Sequence, residues 1–220
     1  GTIASGPTVF DSTTKAGAEE ILKKYGLNPA DFRLIETPKE KNLFERTANL
    51  LFACNEDAVA AMLAEAERLG FSSKIYSLAL EGEAKDVFWS ILQEIKSGQA
   101  LLAAGESTVT IKKPFDATRG KGGRNAEAVL GAICSFESGV KDGAVVMSFA
   151  SDGHDNTEAA GAIADAKTIE TARSLDIDKG EFLDNHDSFH FFEKTGDLIF
   201  AEPKSFNVAD LMLVLRDSKG

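Results

Sequence analysis

Helical and extended apolar patterns alternate along this chain, and that alternation limits its fold more than any other feature. Apolar residues at helical spacing predict helices, and short apolar runs between turn residues predict strands. Alternating helices and strands are typical of an α/β fold, so we predict three-layer α/β/α elements. The predicted helices cover residues 18–25, 59–69 and 84–95, and the predicted strands cover residues 50–53, 74–80, 101–111 and 144–149.

The composition changes at Ser97-Gly98-Gln99, where a helical pattern ends and a new strand pattern begins. A chain of 220 residues is long enough for one large domain or two small ones. We therefore predict a domain boundary at this point, with one domain in residues 1–98 and a second in residues 99–220.

The overall composition excludes several classes of protein. A formal net charge of −11 argues against general affinity for nucleic acid or anionic membrane. No apolar run approaches the roughly 20 residues that a membrane span needs. Cys54 and Cys134 are far apart in apolar surroundings, which favours buried thiols over metal ligands or a disulfide. These features predict a soluble protein of the reducing cytoplasm.

A basic, glycine-rich loop, TRGKGGRNAE at residues 118–127, leads into an apolar helical pattern. Its glycines (Gly120, Gly122 and Gly123) let backbone amides approach an anion, and Lys121 and Arg124 add positive charge. The first turn of the following helix also favours an anion. The spacing is neither that of a Walker loop nor that of a dinucleotide fingerprint. The loop is therefore either a phosphate or carboxylate site or a flexible loop that happens to be basic.

Acidic residues follow the predicted strand at 144–149. Asp152 and Asp155 lie in a glycine-bearing turn at the strand's carboxyl end, where open α/β sheets bind ligands. They can hold a magnesium ion or act as a base toward a hydroxyl, or they can simply form the turn. His186 and His190 have the spacing of a helical metal pair, but the phenylalanines around them favour a packed helix end.

Two further loops carry residues suited to anion binding. Ser5, Gly6 and Thr8 offer hydroxyls and a glycine amide before a predicted helix, a combination that is also common in ordinary turns. Glu106 follows a glycine at a predicted turn, where it can either reach a ligand or merely pair the edge of a strand.

Seven motifs, in order along nearly the whole chain, resemble the glycerate 2-kinase family, whose carboxy-terminal portion is called the MOFRL domain. The ordered set is specific, whereas any single motif is weak. The motifs are SGPTVFDSTT at 5–14, LEGEA at 80–84, GESTVTI at 105–111, GKGGRNAE at 120–127, SDGHDNTEAAGAIAD at 151–165, NHDSFHFF at 185–192 and FNVADL at 206–211.

The resemblance implies a two-domain enzyme that transfers the γ-phosphoryl group of ATP to the 2-hydroxyl of D-glycerate, with magnesium, in a cleft between domains. It implies that residues 1–98 complete a larger Rossmann-like domain and that residues 99–220 form a smaller α/β MOFRL-type domain. It also implies that an amino-terminal portion precedes Gly1, so we expect the chain to be inactive alone. A homo-oligomer is left open.

The resemblance also implies roles for particular residues. Arg124 would stabilise charge on the transferring phosphoryl group, and Asp152 would be the second catalytic residue. The implied substrate- or phosphate-binding residues are Ser5, Gly6, Thr8, Glu106, Lys121, Gly122, Gly123, Asn125 and Asp155. Glu127 would help to shape the same site.

The chain departs from the family pattern near its end, where AEPKSFNVADL at 201–211 stands in place of TGPTGTNVNDL. This departure removes hydroxyls and amides that would face a ligand. Two other functions therefore stay open. One is an oxidoreductase acting on hydroxypyruvate, although no GxGxxG fingerprint is present. The other is a non-catalytic ligand-binding module.

Overall fold

The computed structural model describes residues 8–111, 120–135, 143–202, 204 and 206–218. Ser5 and Gly6, both predicted to bind an anion, lie outside the described residues. The chain divides into two compact units, of which the first ends at Phe52 and the second begins at Ala53. Each unit is described by itself.

Over residues 8–52, the described part of the first unit, the named elements are one α-helix and two short 3-10 helices. Helix α1 (Lys15–Lys24) follows Thr14, whose side chain caps it by accepting a hydrogen bond from the backbone N–H of Gly17 at 3.1 Å. The 3-10 helices are Pro29–Asp31 and Lys41–Phe44. Thr8, the third residue of the predicted anion loop, donates to Oδ1 of Asn49 at 2.7 Å.

The predicted strand at residues 50–53 is wrong. These residues have no regular structure, and the side chains of Leu50, Leu51 and Phe52 are 89%, 82% and 100% exposed. A strand forms only when a neighbouring strand satisfies its backbone groups. Among the described residues, none pairs with this apolar run.

The second unit is built on one six-stranded sheet in the order β1-β2-β6-β3-β4-β5. The pair at one edge of the sheet, β1 and β2, is parallel, and every other neighbouring pair is antiparallel. The strands are β1 (Ser72–Leu80), β2 (Gln99–Gly105), β3 (Ala144–Ala150), β4 (Gly161–Ala164), β5 (Leu198–Ile199) and β6 (Asp210–Arg216). The last apolar run of the sequence is therefore a central strand.

Helices cover both faces of this sheet. Along β2 the side chains alternate, so that Leu102 packs with helix α2 on one face and Leu101 packs with α3 and α4 on the other. The helices are α2 (Asn55–Arg68), α3 (Phe88–Glu94), α4 (Arg124–Cys134), α5 (Ala166–Ser174), α6 (Lys179–Asp184) and α7 (Ser188–Thr195). The predicted α/β class with three layers is confirmed.

Two predicted boundaries differ from the structure. The strand predicted over residues 101–111 ends at Gly105, because the chain turns there into a loop. The compact units divide after Phe52, earlier than the predicted domain boundary after residue 98, and β1 and β2 pair across that boundary. The division into 1–98 and 99–220 stays a prediction. Among the described residues, no helix is both long and apolar enough to cross a membrane.

Candidate active site

A pocket of about 670 Å³ opens at the carboxyl ends of the parallel strands β1 and β2. Ligands of open α/β sheets gather at such an edge, because the loops that follow the strands converge there. The residues that give the pocket its chemistry are Glu81, Gly82, Glu106, Ser107, Arg124 and Ala209. It therefore combines two carboxylates with one guanidinium.

Arg124 is the first residue of α4, and a buried carboxylate holds its side chain. Its Nε donates to Oδ2 of Asp210 at 2.5 Å, and its Nη2 donates to Oδ1 of the same residue at 3.0 Å. Oε1 of Glu106 lies 3.5 Å from Nη2. The hydrogen bonds to Asp210 are the main cause of the raised pKa of Arg124. The arginine predicted to be catalytic thus lines the pocket in a fixed orientation.

The amino terminus of α4 is capped by the protein's own carboxylate. Oδ1 of Asp155 accepts hydrogen bonds from the backbone N–H and the side-chain amide of Asn125, and Oδ2 accepts from the backbone N–H of Ala126. Oδ1 of Asn125 in turn accepts from the hydroxyl of Ser148. Both Asn125 and Asp155 are buried, and burial raises the pKa of Asp155 to about 6.

These contacts differ from the expectation that Asn125, Asp155 and the first amides of α4 meet a phosphate directly, which stays a prediction. The helix terminus attracts an anion as predicted, but that anion is the Asp155 side chain. Asn125 and Asp155 are therefore structural residues that hold the start of α4. What they position is Arg124, which precedes Asn125.

The glycines of the GKGGRN loop are needed for close packing. A Cβ at Gly123 would collide with the backbone and carboxyl group of Asp155, and a Cβ at Gly122 would collide with Ser188 Oγ. A Cβ at Gly120 would collide with residues 185–187. This differs from the predicted role, in which the glycines let amides approach a ligand. Their absence of side chains lets the loop lie against the start of α7 and the Asp155 turn.

Lys121 is engaged outside the pocket. Its Nζ lies 2.5 Å from Oε1 of Glu158 and 3.6 Å from the ring centroid of Phe189. Its backbone N–H donates to Oδ1 of Asp187 at 2.7 Å. An ion pair and a cation–π contact thus occupy the lysine that the sequence predicts to bind an anion.

Asp152 fastens one wall of the pocket. Its Oδ2 accepts a hydrogen bond from the side-chain amide of Asn207 at 2.9 Å, and its Oδ1 accepts from the backbone N–H of His154 at 3.0 Å. Oδ1 of Asn207 accepts from the backbone N–H of Ala209, which lines the pocket with a left-handed φ of 74°. Asp152 is thus connected to the pocket through Asn207.

The loop after β2 is held against the loop after β1. The backbone N–H of Thr108 donates to the carbonyl of Gly82, and the carbonyl of Thr108 accepts from Ala84, both at 2.8 Å. Ser107 is 3% exposed, and its hydroxyl has no hydrogen-bond partner among the residues that the structure describes. Glu106, predicted to reach a ligand, has a side chain that is 61% exposed at the same pocket.

The two histidines with metal-pair spacing contact different carboxylates. Nδ1 of His186 lies 3.1 Å from Oε2 of the buried Glu127, and Nδ1 of His190 lies 2.6 Å from Oδ1 of Asp187. Burial is the main cause of the raised pKa of Glu127. In the part of the chain that the structure describes, no group of three metal-ligating side chains forms a metal site.

Sequence reasoning missed two residues of this site. Asp210 and Asn207 both lie in the FNVADL motif, which carried part of the resemblance without a role for either side chain. Only the pairing of β6 between β2 and β3 places Asp210 beside the start of α4. The signal available in the sequence was an acidic residue at the start of an apolar run. Such a residue needs a partner when the run is buried.

Fold and site together define an α/β protein with an arginine-bearing pocket at the carboxyl ends of two parallel strands. Residues 99–210 match the model of the MOFRL family. The chain belongs to the MOFRL family, as its ordered motifs predict.

The chain is similar to several curated proteins over nearly its whole length. It is 37% identical to the glycerate 2-kinase of Pyrococcus horikoshii, covering 99% of this chain and 53% of that protein. It is 34% identical to the D-glycerate 2-kinase of Thermotoga maritima, covering 97% of this chain and 52% of that protein. A putative hydroxypyruvate reductase of Agrobacterium vitis is 33% identical, covering 97% of this chain and 51% of that protein.

Solved structures have the same fold. The crystal structure of the Thermotoga maritima glycerate kinase matches with a TM-score of 0.78 at 31% identity, covering 97% of this chain and 53% of that one. A protein of Pyrococcus horikoshii matches with a TM-score of 0.73 at 33% identity, covering 99% of this chain and 53% of that one. The chain thus spans about half the length of the relatives it matches.

Proposed function

We propose that this protein is a glycerate 2-kinase, which transfers the γ-phosphoryl group of ATP to the 2-hydroxyl of D-glycerate. The observation that carries the proposal is the guanidinium of Arg124, which Asp210 orients in a pocket at the carboxyl ends of β1 and β2. The names of two relatives at 37% and 34% identity support the same reaction.

Arg124 is the proposed cation that stabilises negative charge on the transferring phosphoryl group. In this reaction the 2-hydroxyl oxygen bonds to the γ-phosphorus, the bond to the leaving oxygen of ADP breaks, and the hydroxyl proton leaves. Asp152 is the proposed acceptor of that proton. The bond from Asn207 orients its carboxylate, and the same asparagine bonds to Ala209 in the pocket wall.

Asp152 and Asp155 do not fit a shared magnesium site. Both oxygens of Asp155 accept hydrogen bonds from the start of α4, and both oxygens of Asp152 accept hydrogen bonds from Asn207 or His154. Magnesium in nucleotide sites is often held by phosphates and only one or two carboxylates. We propose that Mg²⁺ enters with ATP as part of the substrate.

The proposal also includes the remaining predicted binding residues, the compartment and the oligomeric state. Ser5, Gly6 and Thr8 are proposed to bind an anion, and Lys121, Gly122 and Gly123 stay predicted substrate- or phosphate-binding residues. The unpaired thiols of Cys54 and Cys134 support a reducing compartment such as the cytoplasm. Assembly into a homo-oligomer stays a prediction.

The oxidoreductase alternative has weaker support. A relative carries the name putative hydroxypyruvate reductase, yet this sequence has no GxGxxG fingerprint for a nicotinamide cofactor. The hydroxypyruvate reductase reaction is therefore not favoured.

The proposal is tested by assaying the complete gene product that contains these residues with ATP, Mg²⁺ and D-glycerate. We expect ADP and 2-phosphoglycerate, and we expect Arg124→Lys to lower kcat by roughly a hundredfold because lysine lacks the planar fork of the guanidinium. Arg68→Lys, on the exposed face of α2 where the guanidinium pairs with Glu65, is the matched surface control. Phosphorylation of another hydroxy acid without any of D-glycerate would contradict the proposed substrate.

A further inference from the structure

The guanidinium of Arg124 has two edges that can each form a pair of hydrogen bonds, and Asp210 uses one of them. Nε and Nη2 bond to Oδ2 and Oδ1 of Asp210. In the planar guanidinium, Nε and Nη2 form the side edge, whereas Nη1 and Nη2 form the end edge. Asp210 therefore fixes the plane of Arg124 through its side edge.

The carboxylate of Asp210 is itself held rigidly. Asp210 is the first residue of β6, where it pairs with Gly105 at the end of β2 and with Ala150 at the end of β3. Its side chain is fully buried. Because neighbouring strands fix its backbone on both sides, Asp210 sets the orientation of Arg124 and not the reverse.

Glu106 makes a different kind of contact with the same arginine. Its Oε1 lies 3.5 Å from Nη2, too far for a strong hydrogen bond, and its side chain is 61% exposed. An exposed ion pair of this kind contributes little free energy. An oxyanion entering the pocket can therefore replace Glu106 at Nη2 while the bonds to Asp210 stay in place.

We infer that Asp210 is a positioning residue, which holds the side edge of Arg124 so that its end edge meets a carboxylate or phosphoryl oxygen in the pocket. This inference rests on the proposed function, because it takes Arg124 as the group that binds the oxyanion. Asp210 acts only through Arg124, so its effect on catalysis disappears when the guanidinium is absent.

A double-mutant cycle in the complete gene product tests this dependence. Asp210→Asn keeps the shape of the side chain but removes its charge and one of the two acceptors. We expect it to lower kcat roughly tenfold to a hundredfold, because a small misplacement of a catalytic group has effects of that size. In the Arg124→Lys background, the same substitution should change kcat by no more than about twofold.

A matched control separates positioning from a general loss of stability. Asp165 caps α5, where its Oδ1 accepts hydrogen bonds from the backbone N–H groups of Lys167 and Thr168. Asp165→Ala removes that cap and leaves the pocket residues unchanged, so we expect kcat to be unaltered at a temperature where the variant is folded.

The cycle also distinguishes a failure of the role proposed for Arg124 from a failure of the inference about Asp210. If Arg124→Lys leaves kcat unchanged, the proposed role of Arg124 is wrong. If Arg124→Lys lowers kcat but Asp210→Asn does not, or if the two effects multiply independently, only the inference about Asp210 is wrong.

A measurement on the unsubstituted chain applies even if Asp210→Asn does not fold. Nitrogen-15 NMR of the arginine side chains reports rotation about the Nε–Cζ bond. Two hydrogen bonds to a buried carboxylate should make this rotation slow for Arg124, whereas Arg68, which is exposed on α2, serves as the comparison. Fast rotation of the Arg124 guanidinium would overturn the inference.

Discussion

Two buried carboxylates meet the first turn of α4, and they do so in different ways. Asp210 bonds to a charged side chain that also lines the pocket, whereas Asp155 bonds to backbone and amide N–H groups that are buried with it. The first contact leaves part of its partner available to a ligand. In the second contact, the N–H groups at the helix terminus already donate to Asp155. Binding of an oxyanion therefore depends on the arginine side chain.

The comparison shows why a glycine-rich loop before a helix is an ambiguous sign of a phosphate site. The field of the helix terminus favours a carboxylate as much as a phosphate. In this chain Asp155 takes that position, and the missing side chain of Gly123 makes room for it. The loop therefore serves the site indirectly, because it fixes the backbone from which the side chain of Arg124 projects.

The largest expected effect on stability comes from removing the guanidinium of Arg124, which pairs with Asp210. Arg124→Ala leaves the Asp210 carboxylate buried without a partner, which should lower the free energy of unfolding by about 3–5 kcal/mol. Arg124→Lys keeps a positive charge and should cost clearly less. Urea unfolding of both variants measures the difference.

The double variant Arg124→Ala with Asp210→Asn sharpens this prediction, because it removes the unpaired charge as well. We expect it to be more stable than Arg124→Ala alone. Equal stability of Arg124→Ala and Arg124→Lys would show that Asp210 does not need a cation beside it. It also follows that kcat of Arg124→Ala cannot be read without a check of folding.

A smaller effect is expected at the second carboxylate, where Gly123→Ala forces a Cβ against Asp155. Overpacking of this kind should lower the free energy of unfolding by about 1–3 kcal/mol. Gly180→Ala in α6 is the matched control, because the nearest atom to its Cβ is the movable Asp178 carboxylate oxygen at 3.2 Å. A change at Gly123 no larger than at Gly180 would contradict the packing role of the loop.

Local patterns predicted most of the elements because helices and buried strands carry their own apolar periodicity. The helix after the glycine loop and the strands at 72–80 and 144–150 form close to where the sequence places them. The run at 50–53 has the same apolar character but no strand beside it. Whether an apolar run becomes a strand depends on a partner, which its own sequence does not specify.

The site was predicted in part for a similar reason. The charge and position of Arg124 are visible in the sequence, and the structure brings that residue into the pocket. The role of Asp155 depends on a contact with Asn125 across 30 positions of chain, and that of Asp210 on a contact with Arg124 across 86. Such contacts follow from the order of strands in the sheet, and Asp210 reaches Arg124 only because β6 inserts between β2 and β3.

The smallest expected effect is the pH dependence that Asp155 contributes to stability. Burial raises its pKa from 3.8 to about 6, and the nearby Asp210 also raises it, while the N–H groups of Asn125 and Ala126 oppose the shift. The folded state therefore binds a proton more readily than the unfolded state. The contribution of Asp155 to the free energy of unfolding is largest below about pH 4 and is lost as the pH rises through about 6.

The quantity to measure is the difference in free energy of unfolding between the unsubstituted chain and Asp155→Asn, because other carboxylates also titrate in this range. The asparagine cannot accept from every N–H at the start of α4, so the variant is less stable at every pH. Between pH 7 and pH 5, however, the stability of the unsubstituted chain relative to this variant should rise by roughly 1 kcal/mol. Asp165→Asn, which replaces the cap of α5, is the control for exchanging a capping aspartate. A difference that stays flat across this range would mean that burial does not raise the pKa of Asp155.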